Sequence, residues 1–487
     1  MKLLLINSYL SGDAWHYPPL ELGFLATFVR DRSSSEVKLV DPAAENMDIN
    51  QVVKAAKDFD IVGLNCFTER RVQCFEIAKR IKEENPNCKI ILGGPHATAL
   101  DIKIMEHYTF VDGIIRSEGE QTLLEVVKGG DYKKILGLTW RNNGEIIKNP
   151  DRPLMENLDD VYVDYSFLPP MKKYIRDYAS PDLKGKINYV YMLSSRGCPF
   201  FCEFCGNKFF WRSCWRAPNP EILVRRMSDL VGEYGVEYFR FGDGEFTANE
   251  TWSRKFCKEL QNAKLDIHFR VDSRINVSAE TLKDLKKSGC VGVTFGIESF
   301  SDEILTDINK YTRRNMIIET LKNSRKAGLW TRGTFILLWP GETVENFKRN
   351  TLRFTGFVDE FEAHVLHILP GTPLYERLKQ KGEINDEMWF NIPDRKRFYC
   401  KENFPSALYS LDELEKVFWY ANNYFTTRNP RKIMKKFDFI RSMILMGGSA
   451  LNMGVSGIEN FVNIDGLLKF EKKYYIEFQK KMLKSGE

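Results

Sequence analysis

The chain has 487 residues, a length that corresponds to about three domains. Hydrophobic residues at 43% and charged residues at 28% are typical of an ordinary soluble globular protein. The net charge of +5 is small for this length, so it neither demands a nucleic-acid partner nor excludes an anionic ligand. The longest uncharged run, residues 442–458, is broken by glycines, which excludes it as a membrane span.

The ten cysteines are scattered along the chain rather than arranged in pairs. Residues 1–7 lack the length and the small-residue cleavage site of a signal peptide. We therefore expect the protein to be cytoplasmic, in a reducing compartment where an oxygen-sensitive metal cluster survives.

Residues 1–150 alternate strand patterns with helix patterns. Apolar runs of strand length lie at residues 3–6, 37–40, 61–64, 89–92 and 113–115. Strands alternating with helices predict an α/β domain with a doubly wound, Rossmann-like parallel sheet. The triplet Asn142-Asn143-Gly144 predicts the turn of a β-hairpin that follows these five strands.

The loops after these strands supply the candidate binding residues, because ligands bind beyond the carboxyl ends of parallel strands. Gly93 and Gly94 allow the backbone to approach a ligand closely. A helix that starts near Gly119 leaves free N–H donors for polar ligand groups. A redox-nucleotide domain is an alternative interpretation, but no G-x-G-x-x-G follows any of the strands.

Four prolines among acidic residues predict that residues 151–188 are an inter-domain linker. A strand beginning at Tyr189 then leads to Cys198, Cys202 and Cys205 in C-x3-C-x2-C spacing. Thiolates select iron–sulfur clusters, zinc or cuprous ions. A [4Fe–4S] cluster takes four ligands, so three cysteines would leave one iron open. The alternative is a zinc site that borrows Cys214 as its fourth ligand.

Residues 189–385 repeat six strand–helix units and predict a partial (β/α)6 barrel of the TIM type. The strands are expected near residues 189–193, 238–241, 267–271, 291–295, 333–338 and 364–369. Catalytic groups in such barrels lie at the carboxyl ends of the strands. The polar candidates there are Asp243, Gly244, Glu245, Arg270, Asp272, Ser273, Arg274, Glu298 and Ser299. None of them is assigned as a catalytic residue.

The cysteine loop, with Phe204 directly before its third cysteine, resembles the cluster motif of the radical S-adenosylmethionine enzymes. In that family the open iron chelates S-adenosylmethionine and reduces it to a 5′-deoxyadenosyl radical. The resemblance implies that the three cysteines bind a [4Fe–4S] cluster. It also implies that Phe204 and the polar strand-end residues of the barrel bind S-adenosylmethionine.

The first domain resembles the cobalamin-binding domain found upstream of many such barrels, on Pro18–Gly23, residues 60–64, Gly93–His96 and Ser117–Glu120. The resemblance implies that cobalamin contacts Asn7, Ser8, Cys66, Phe67, Thr68, Glu69, Gly93, Gly94, Pro95, His96, Ser117, Glu118, Gly119 and Glu120. The D-x-H-x-x-G motif that gives cobalt a histidine in other cobalamin proteins is absent. His96 is therefore expected to be a loop or outer residue, and the loop that begins at Cys66 is expected to face the lower axial position.

Residues 386–487 are predicted to be a helical region, because the strand–helix alternation stops there. One helix is expected at residues 411–425. Apolar residues at helical spacing among lysines predict a basic amphipathic helix in the tail, at residues 467–482. Docking on the protein itself is the expected role, and contact with a membrane surface is the alternative.

The resemblance covers residues 1–385 and implies an enzyme that methylates an unactivated carbon or a phosphinate phosphorus. A 5′-deoxyadenosyl radical would activate the substrate, and methylcobalamin would give the methyl group. The implied partners are a small-molecule or natural-product substrate and an electron donor such as flavodoxin or ferredoxin. No nucleic-acid partner is expected.

Three other classes stay open. One is a cobalamin-binding cyclase or rearrangement enzyme without methyl transfer, like the anaerobic magnesium-protoporphyrin ester cyclases that the chain also resembles. A second is a methylthiotransferase with another cluster on Cys66, Cys74 and Cys88, although core packing explains Cys74 and Cys88 better. The third is a non-catalytic zinc-binding protein.

Overall fold

The computed structural model describes residues 1–10, 17–170, 173–174, 176–178, 187–390 and 397–428. Met1–Phe425 form one unit of contacting residues, and Thr426–Glu487 form a second. The amphipathic helix predicted for the tail lies outside the described residues. Among the described helices, none combines the length and the apolar composition that crossing a membrane requires.

The first sheet, called sheet A, has seven strands in the order β2-β1-β3-β4-β5-β6-β7. They are β1 (Lys2–Ile6), β2 (Glu36–Val40), β3 (Ile61–Asn65), β4 (Lys89–Gly93), β5 (Gly113–Ile115), β6 (Leu138–Asn142) and β7 (Glu145–Lys148). The first five are parallel. In this order the connections reverse between β1 and β3, and open α/β sheets bind ligands at such a reversal. The predicted doubly wound sheet is confirmed.

The last two strands of sheet A are antiparallel and form the predicted hairpin. Asn143 and Gly144 at its turn have φ angles of 49° and 92°. Positive φ at both central residues is what a tight type I′ turn requires, and asparagine followed by glycine meets this requirement at least cost.

Helices cover both faces of sheet A because side chains of each strand alternate between two cores. The helices are α1 (Leu20–Arg32), α2 (Pro42–Glu45), α3 (Ile49–Ala55), α4 (Arg71–Glu84), α5 (Pro95–Ala99), α6 (Asp101–His107) and α7 (Glu120–Val127). Leu3 and Leu5 pack with α1 and α7, whereas Leu4 and Ile6 pack with α3, α4, α5 and α6. This two-sided burial explains the continuous apolar strands.

The second sheet, called sheet B, has the order β14-β13-β12-β11-β10-β9-β8. Its strands are β8 (Arg176–Tyr178), β9 (Ile187–Met192), β10 (Tyr238–Phe241), β11 (His268–Ser273), β12 (Cys290–Glu298), β13 (Trp330–Leu337) and β14 (Glu360–Val365). The six strands from β9 to β14 are parallel, and β8 pairs antiparallel with β9. Strands β9 and β14 are not neighbours in this order, so the six parallel strands do not close into a full barrel. The predicted partial barrel is confirmed.

The last barrel strand was predicted in the wrong place, at residues 364–369 rather than 360–365. Glu360 and Glu362 lie on this strand, and both pair with Arg332 of the neighbouring strand β13, at 2.7 and 3.2 Å. Charged residues facing the barrel interior interrupt the apolar pattern. The periodicity of the sequence therefore hid the first half of the strand.

Helices follow the barrel strands and bury the outward-facing aromatic residues of sheet B. They are α8 (Asn207–Phe210), α9 (Pro220–Tyr234), α10 (Glu250–Ala263), α11 (Ala279–Lys287), α12 (Asp302–Asp307), α13 (Arg314–Lys326), α14 (Val344–Asn350) and α15 (Pro373–Gln380). The predicted helix at residues 411–425 is confirmed as α16 (Leu411–Arg428).

One hydrophobic core is shared by the two sheets. Side chains of α3 to α6 are buried together with Cys202, Trp339, Leu366 and Trp389 from the barrel and the region after it. The Arg71 guanidinium of α4 is buried here and donates to the Trp389 carbonyl oxygen at 3.0 Å. Sheet A and the barrel are therefore joined by packed side chains as well as by the chain between them.

Candidate functional site

The carboxyl ends of both sets of parallel strands open into one cavity of about 670 Å³. From the barrel, the predicted residues on its wall are Cys198, Cys202, Phe204, Cys205, Asp243, Gly244, Asp272, Ser273, Arg274 and Glu298. From sheet A they are Phe67, Gly93, Gly94, Pro95, Ser117, Glu118, Gly119 and Glu120. The predicted residues off the wall are Asn7, Ser8, Cys66, Thr68, Glu69, His96, Glu245, Arg270 and Ser299. The two predicted sites are thus two sides of one chamber.

The three cysteines of the C-x3-C-x2-C loop carry free thiols on the barrel side of the cavity. Within the described ranges, no three His, Cys, Asp or Glu side chains are close enough together to hold one metal ion. A [4Fe–4S] cluster offers a separate iron to each cysteine, so its ligands lie farther apart than those of one ion. The Arg274 guanidinium, 3.0 Å from the Cys202 sulfur, adds positive charge. This donor set fits an anionic iron–sulfur cluster.

The cysteine loop needs glycine at position 197. Gly197 has a φ angle of 76°, and a Cβ atom there would lie 2.1 Å from the carbonyl oxygen of Cys214. Both the backbone conformation and the close approach exclude a larger residue. The contact also places Cys214 against the start of the loop, where its backbone rather than its thiol meets Gly197.

Asp243 anchors the start of the cysteine loop. Its carboxylate accepts hydrogen bonds from the backbone and side chain of Ser194, both at 2.9 Å. It also accepts from the backbone and side chain of Ser195. Burial raises the pKa of Asp243 to about 6, although these four donors favour the charged form. Three of these four bonds go to Oδ1 and one to Oδ2, and the residue lines the cavity.

Glu245 is occupied in a similar way and lies behind the wall. It accepts from the Thr247 backbone at 3.0 Å and hydroxyl at 2.6 Å, and from the backbone N–H of Arg274 at 2.5 Å. Burial raises its pKa above the ordinary value. Gly244 between the two carboxylates lines the cavity. Gly244 therefore exposes its backbone to the cavity, while Glu245 links the ends of β10 and β11 through its hydrogen bond from Arg274.

The charged groups of β11 and β12 that line the cavity have partners that fix them. Asp272 accepts from Arg240 at 2.6 Å. Glu298 is 2.9 Å from the Lys310 ammonium group, and both side chains are nearly buried. Lys310 also lines the cavity, yet no sequence motif marked it. It lies in the loop after α12, and only the folding of the chain brings it to Glu298.

Two predicted residues of the barrel serve other contacts. Arg270 is buried inside the barrel, 3.7 Å from Glu360. Ser299 shares a hydrogen bond with Thr351 at 3.2 Å and accepts one from the Ser301 backbone at 3.0 Å. Neither residue lines the cavity, so the cavity gives no support to their predicted role in binding S-adenosylmethionine.

On the sheet A side the cavity extends into an apolar groove between the sheet and helices α1 and α7. Leu5, Leu25 and Ile91 are among its lining residues. A Cβ atom at Gly63 would lie 2.7 Å from Leu5, and one at Gly119 would lie 3.2 Å from Leu25. Glycine at both positions keeps the groove open. The groove is therefore an apolar extension of the cavity on the sheet A side.

Asn65, at the reversal point between β1 and β3, organises the polar mouth of this groove. Its side-chain amide donates to the Asn7 side chain at 3.0 Å and to the Glu21 carboxylate at 2.9 Å. Ser8 donates to Asn65 through its backbone at 2.8 Å and its hydroxyl at 2.6 Å. Glu21 and Asn65 line the cavity, whereas Asn7 and Ser8 lie behind them. Neither Glu21 nor Asn65 was among the residues expected to contact cobalamin, although Asn65 ends a parallel strand and Glu21 lies within the Pro18–Gly23 stretch.

His96 lies in the shared core rather than on the cavity wall. It contacts the Thr68 hydroxyl at 3.2 Å, and its ring meets Trp389 edge to face at 5.8 Å. Burial lowers the pKa of His96 to about 3, so the imidazole is neutral. Cys66 is also buried, and burial beside the Cys74 thiol raises its pKa well above the ordinary value.

Two protein families match this chain. The Radical SAM superfamily matches residues 192–351, and the B12 binding domain matches residues 14–127. The uncharacterised methyltransferase PH0819 of Pyrococcus horikoshii is 34% identical over 368 residues, which cover 74% of this chain and 78% of that protein. The anaerobic magnesium-protoporphyrin IX monomethyl ester cyclase of Cereibacter sphaeroides is 26% identical over 412 residues, covering 80% of this chain and 66% of the cyclase.

Among solved structures, one similar to this chain is that of OxsB, described as a cobalamin-dependent S-adenosylmethionine radical enzyme with aqua-cobalamin and S-adenosylmethionine bound. The TM-score is 0.70 at 18% identity, with 100% of this chain and 81% of OxsB covered. At that identity the likeness establishes the fold, a Rossmann-like sheet followed by a partial barrel.

Proposed function

This chain belongs to the cobalamin-dependent radical S-adenosylmethionine enzymes, and from that premise we propose that it methylates an unactivated carbon or a phosphinate phosphorus of a small organic molecule. The family's cofactors are a [4Fe–4S] cluster, S-adenosylmethionine and cobalamin. Bound together, they supply a hydrogen-abstracting radical and a methyl donor. The observation that carries the proposal is that residues predicted to bind the cluster, S-adenosylmethionine and cobalamin line one cavity.

In this proposal Cys198, Cys202 and Cys205 hold the cluster. Arg274 lies beside Cys202 and offsets part of the negative charge that thiolates and cluster bring into a buried place. Asp243 and its serine partners hold the amino-terminal end of the loop in place. These contacts hold the thiols in position. Because three cysteines would bind a cluster of four irons, one iron would remain accessible from the cavity.

S-adenosylmethionine is proposed to lie along the carboxyl ends of β10, β11 and β12. Gly244 allows its backbone to approach the ligand, and Asp272, fixed by Arg240, is an acceptor suited to hydroxyl groups. The Glu298–Lys310 pair offers one acceptor and one donor on the same wall. Because these groups are already held by protein partners, binding the ligand requires little further ordering.

Cobalamin is proposed to occupy the sheet A side. Phe67, Gly93, Gly94 and Pro95 would contact the cofactor from the cavity wall, and the apolar groove would take its less polar parts. The buried position of His96 supports cobalamin binding without a histidine ligand. Glu21 and Asn65 are the polar groups that meet the cofactor at the reversal point of the sheet.

A substrate in the cavity would lie between the two cofactors. Fixing reacting groups in this way contributes about 7–11 kcal/mol in well-oriented systems, and a misplacement of about 1 Å costs about a hundredfold in rate. Methyl transfer uses both sides of the cavity. Cyclisation or rearrangement would use the same radical without a methyl donor, and the more similar of the two reported relatives, at 34% identity, is named as a methyltransferase.

The two remaining alternatives have less support. A methylthiotransferase would need a second cluster on Cys66, Cys74 and Cys88. These three are buried in the core of sheet A and do not line the cavity. A zinc protein would need Cys214 as a ligand, but Cys214 is exposed and does not line the cavity on which Cys198, Cys202 and Cys205 lie.

We further propose a flavodoxin or ferredoxin as electron donor and the cytoplasm as the location, because cluster and thiols require reducing conditions. No nucleic-acid partner is proposed. The domain boundaries that fit this function are residues 1–150 for cobalamin, 151–188 for the connection, 189–385 for the barrel and 386–487 for the carboxyl-terminal region. The connection is more than a spacer, since its Tyr174 hydroxyl donates to Asp41 at 2.7 Å.

The test is anaerobic turnover of the reconstituted enzyme with methyl-deuterated S-adenosylmethionine and extracts of small metabolites, followed by mass spectrometry. We expect a product that carries the label, with S-adenosylhomocysteine and 5′-deoxyadenosine formed at near one to one. The matched control is a variant with alanine at the three cluster cysteines, which should form no 5′-deoxyadenosine. 5′-Deoxyadenosine and an unlabelled product would instead indicate cyclisation or rearrangement.

A further inference from the structure

Four buried charges connect the cobalamin side of the cavity to the cluster side. Glu118 lies in the loop after β5 of sheet A, Glu120 is the first residue of helix α7, and Arg196 lies two residues before the first cysteine of the cysteine loop. Arg196 donates to Glu118 at 3.0 Å and to Glu120 at 2.5 Å. Arg216 donates to both oxygens of Glu118 at 2.8 and 2.9 Å. We call these four residues the clasp.

The charges of the clasp are neutralised within the protein itself. Two carboxylates and two guanidinium groups balance in charge, and each of the four side chains is about nine-tenths buried. The backbones of Arg196 and Arg216 also hydrogen-bond each other in both directions, at 2.7 and 2.9 Å. The ring of Trp211 lies 5.9 Å from the Arg196 guanidinium and 5.7 Å from that of Arg216.

A further hydrogen bond runs beside the clasp between the same two regions. The Ser117 hydroxyl donates to the carbonyl oxygen of Phe210, the last residue of α8, at 2.6 Å. The loop after β5 is therefore tied both to the start of the cysteine loop and to the helix that follows it. Neither carboxylate of the clasp depends on a cofactor for its partners.

We propose that the clasp is a positioning device that fixes the distance between the two cofactors, and that Glu118 and Glu120 act on the cluster loop rather than on cobalamin. This inference rests on the proposed function. Arg196 is two residues from the first cluster cysteine, so a shift of the loop after β5 moves the cluster. Buried ion pairs resist such shifts, because separating them leaves an uncompensated charge away from water.

Arg216 separates the two possible roles of Glu118. It belongs to the clasp but does not line the cavity. Glu118→Gln and Arg216→Met both remove the ion pair between Glu118 and Arg216. Arg216→Met does so without changing a residue of the cavity wall. Arg216→Lys keeps the charge as a conservative variant. Arg254→Met is the matched control, because it removes a 2.8 Å surface ion pair with Asp284.

The first readout is hydrogen–deuterium exchange of the full-length chain without cofactors. We expect Arg216→Met to speed exchange in the peptide spanning residues 117–123 on the order of tenfold, since loss of the clasp frees a loop on the other sheet. Arg216→Lys should restore part of the protection, and Arg254→Met should leave this peptide unchanged. Unchanged exchange in both Glu118→Gln and Arg216→Met would overturn the proposal.

The second readout uses enzyme reconstituted with iron, sulfide and hydroxocobalamin. Pulsed electron paramagnetic resonance reports the distance between cob(II)alamin and the reduced cluster. We expect both clasp variants to broaden this distance while iron content and hydroxocobalamin affinity stay at the wild-type values. Affinity lost in Glu118→Gln alone would make Glu118 a cofactor ligand and would refute the clasp. A wild type that binds no hydroxocobalamin would refute the proposed function, while the exchange experiment still decides the clasp.

Discussion

Asp243 makes a prediction that runs against the usual effect of removing a hydrogen-bonded carboxylate. Its side chain accepts four hydrogen bonds from Ser194 and Ser195, yet burial raises its pKa from 3.8 to about 6. At 1.36 kcal/mol for each tenfold change in acidity, this difference corresponds to ~3 kcal/mol. The ionised carboxylate therefore destabilises the folded chain by that amount at neutral pH.

The direction of the pH effect follows from which state binds the proton more tightly. The folded chain holds the proton up to a higher pH than the unfolded chain does. The contribution of protonated Asp243 to the free energy of unfolding is fully present below pH 3.8 and is lost as the pH rises through about 6. The variant Asp243→Asn has no such proton and keeps the shape of the side chain. It should match the wild type near pH 4 and be more stable by ~3 kcal/mol at pH 8.

Differential scanning calorimetry of the chain without cofactors measures this effect. For the unit Met1–Phe425, whose two sheets share a core, ~3 kcal/mol corresponds to a melting temperature higher by roughly 3 °C. Asp243→Ala should melt lower at both pH values, because it leaves four donors unsatisfied. Asp284→Asn is the control at an exposed surface pair, where ~1 kcal/mol or less is expected. A difference between wild type and Asp243→Asn that does not change from pH 4 to pH 8 would refute the reasoning.

Three further predictions concern the cofactor sites. Alanine at all three cluster cysteines should abolish the binding of about four irons per chain, whereas Cys214→Ala should retain them; iron and sulfide analysis after anaerobic reconstitution decides. Gly197→Ala should lower the free energy of unfolding by more than ~2 kcal/mol through its positive φ and the clash it creates, while Gly232→Ala, in open space on helix α9, should be neutral or stabilising; thermal melting of both tests this. The full-length chain should bind hydroxocobalamin in a visible-absorbance titration. The electron paramagnetic resonance spectrum of its cob(II)alamin form should show no nitrogen splitting in wild type or His96→Ala. Nitrogen splitting that His96→Ala removes would contradict the placement of His96 in the core.

The local features of this protein were readable from its sequence. The alternation of apolar strands and amphipathic helices predicted both sheets, because burial on two faces imposes a continuous apolar pattern on a strand. The spacing of the three cysteines within eight residues predicted the cluster loop, since so short a loop brings its thiols together. Asn143-Gly144 predicted the hairpin because the turn itself demands positive φ.

The roles of the carboxylates were decided by the tertiary structure. Asp243 and Glu245 were both candidates for binding S-adenosylmethionine, and the structure shows that each also accepts hydrogen bonds from a neighbouring strand end, while only Asp243 lines the cavity. Glu118 meets Arg196 and Arg216 across 78 and 98 residues of sequence. No local pattern encodes such pairs, because a charged residue in a loop has the same sequence signature whether it faces a ligand or another buried charge. Only packing of sheet A against the barrel selects between the two.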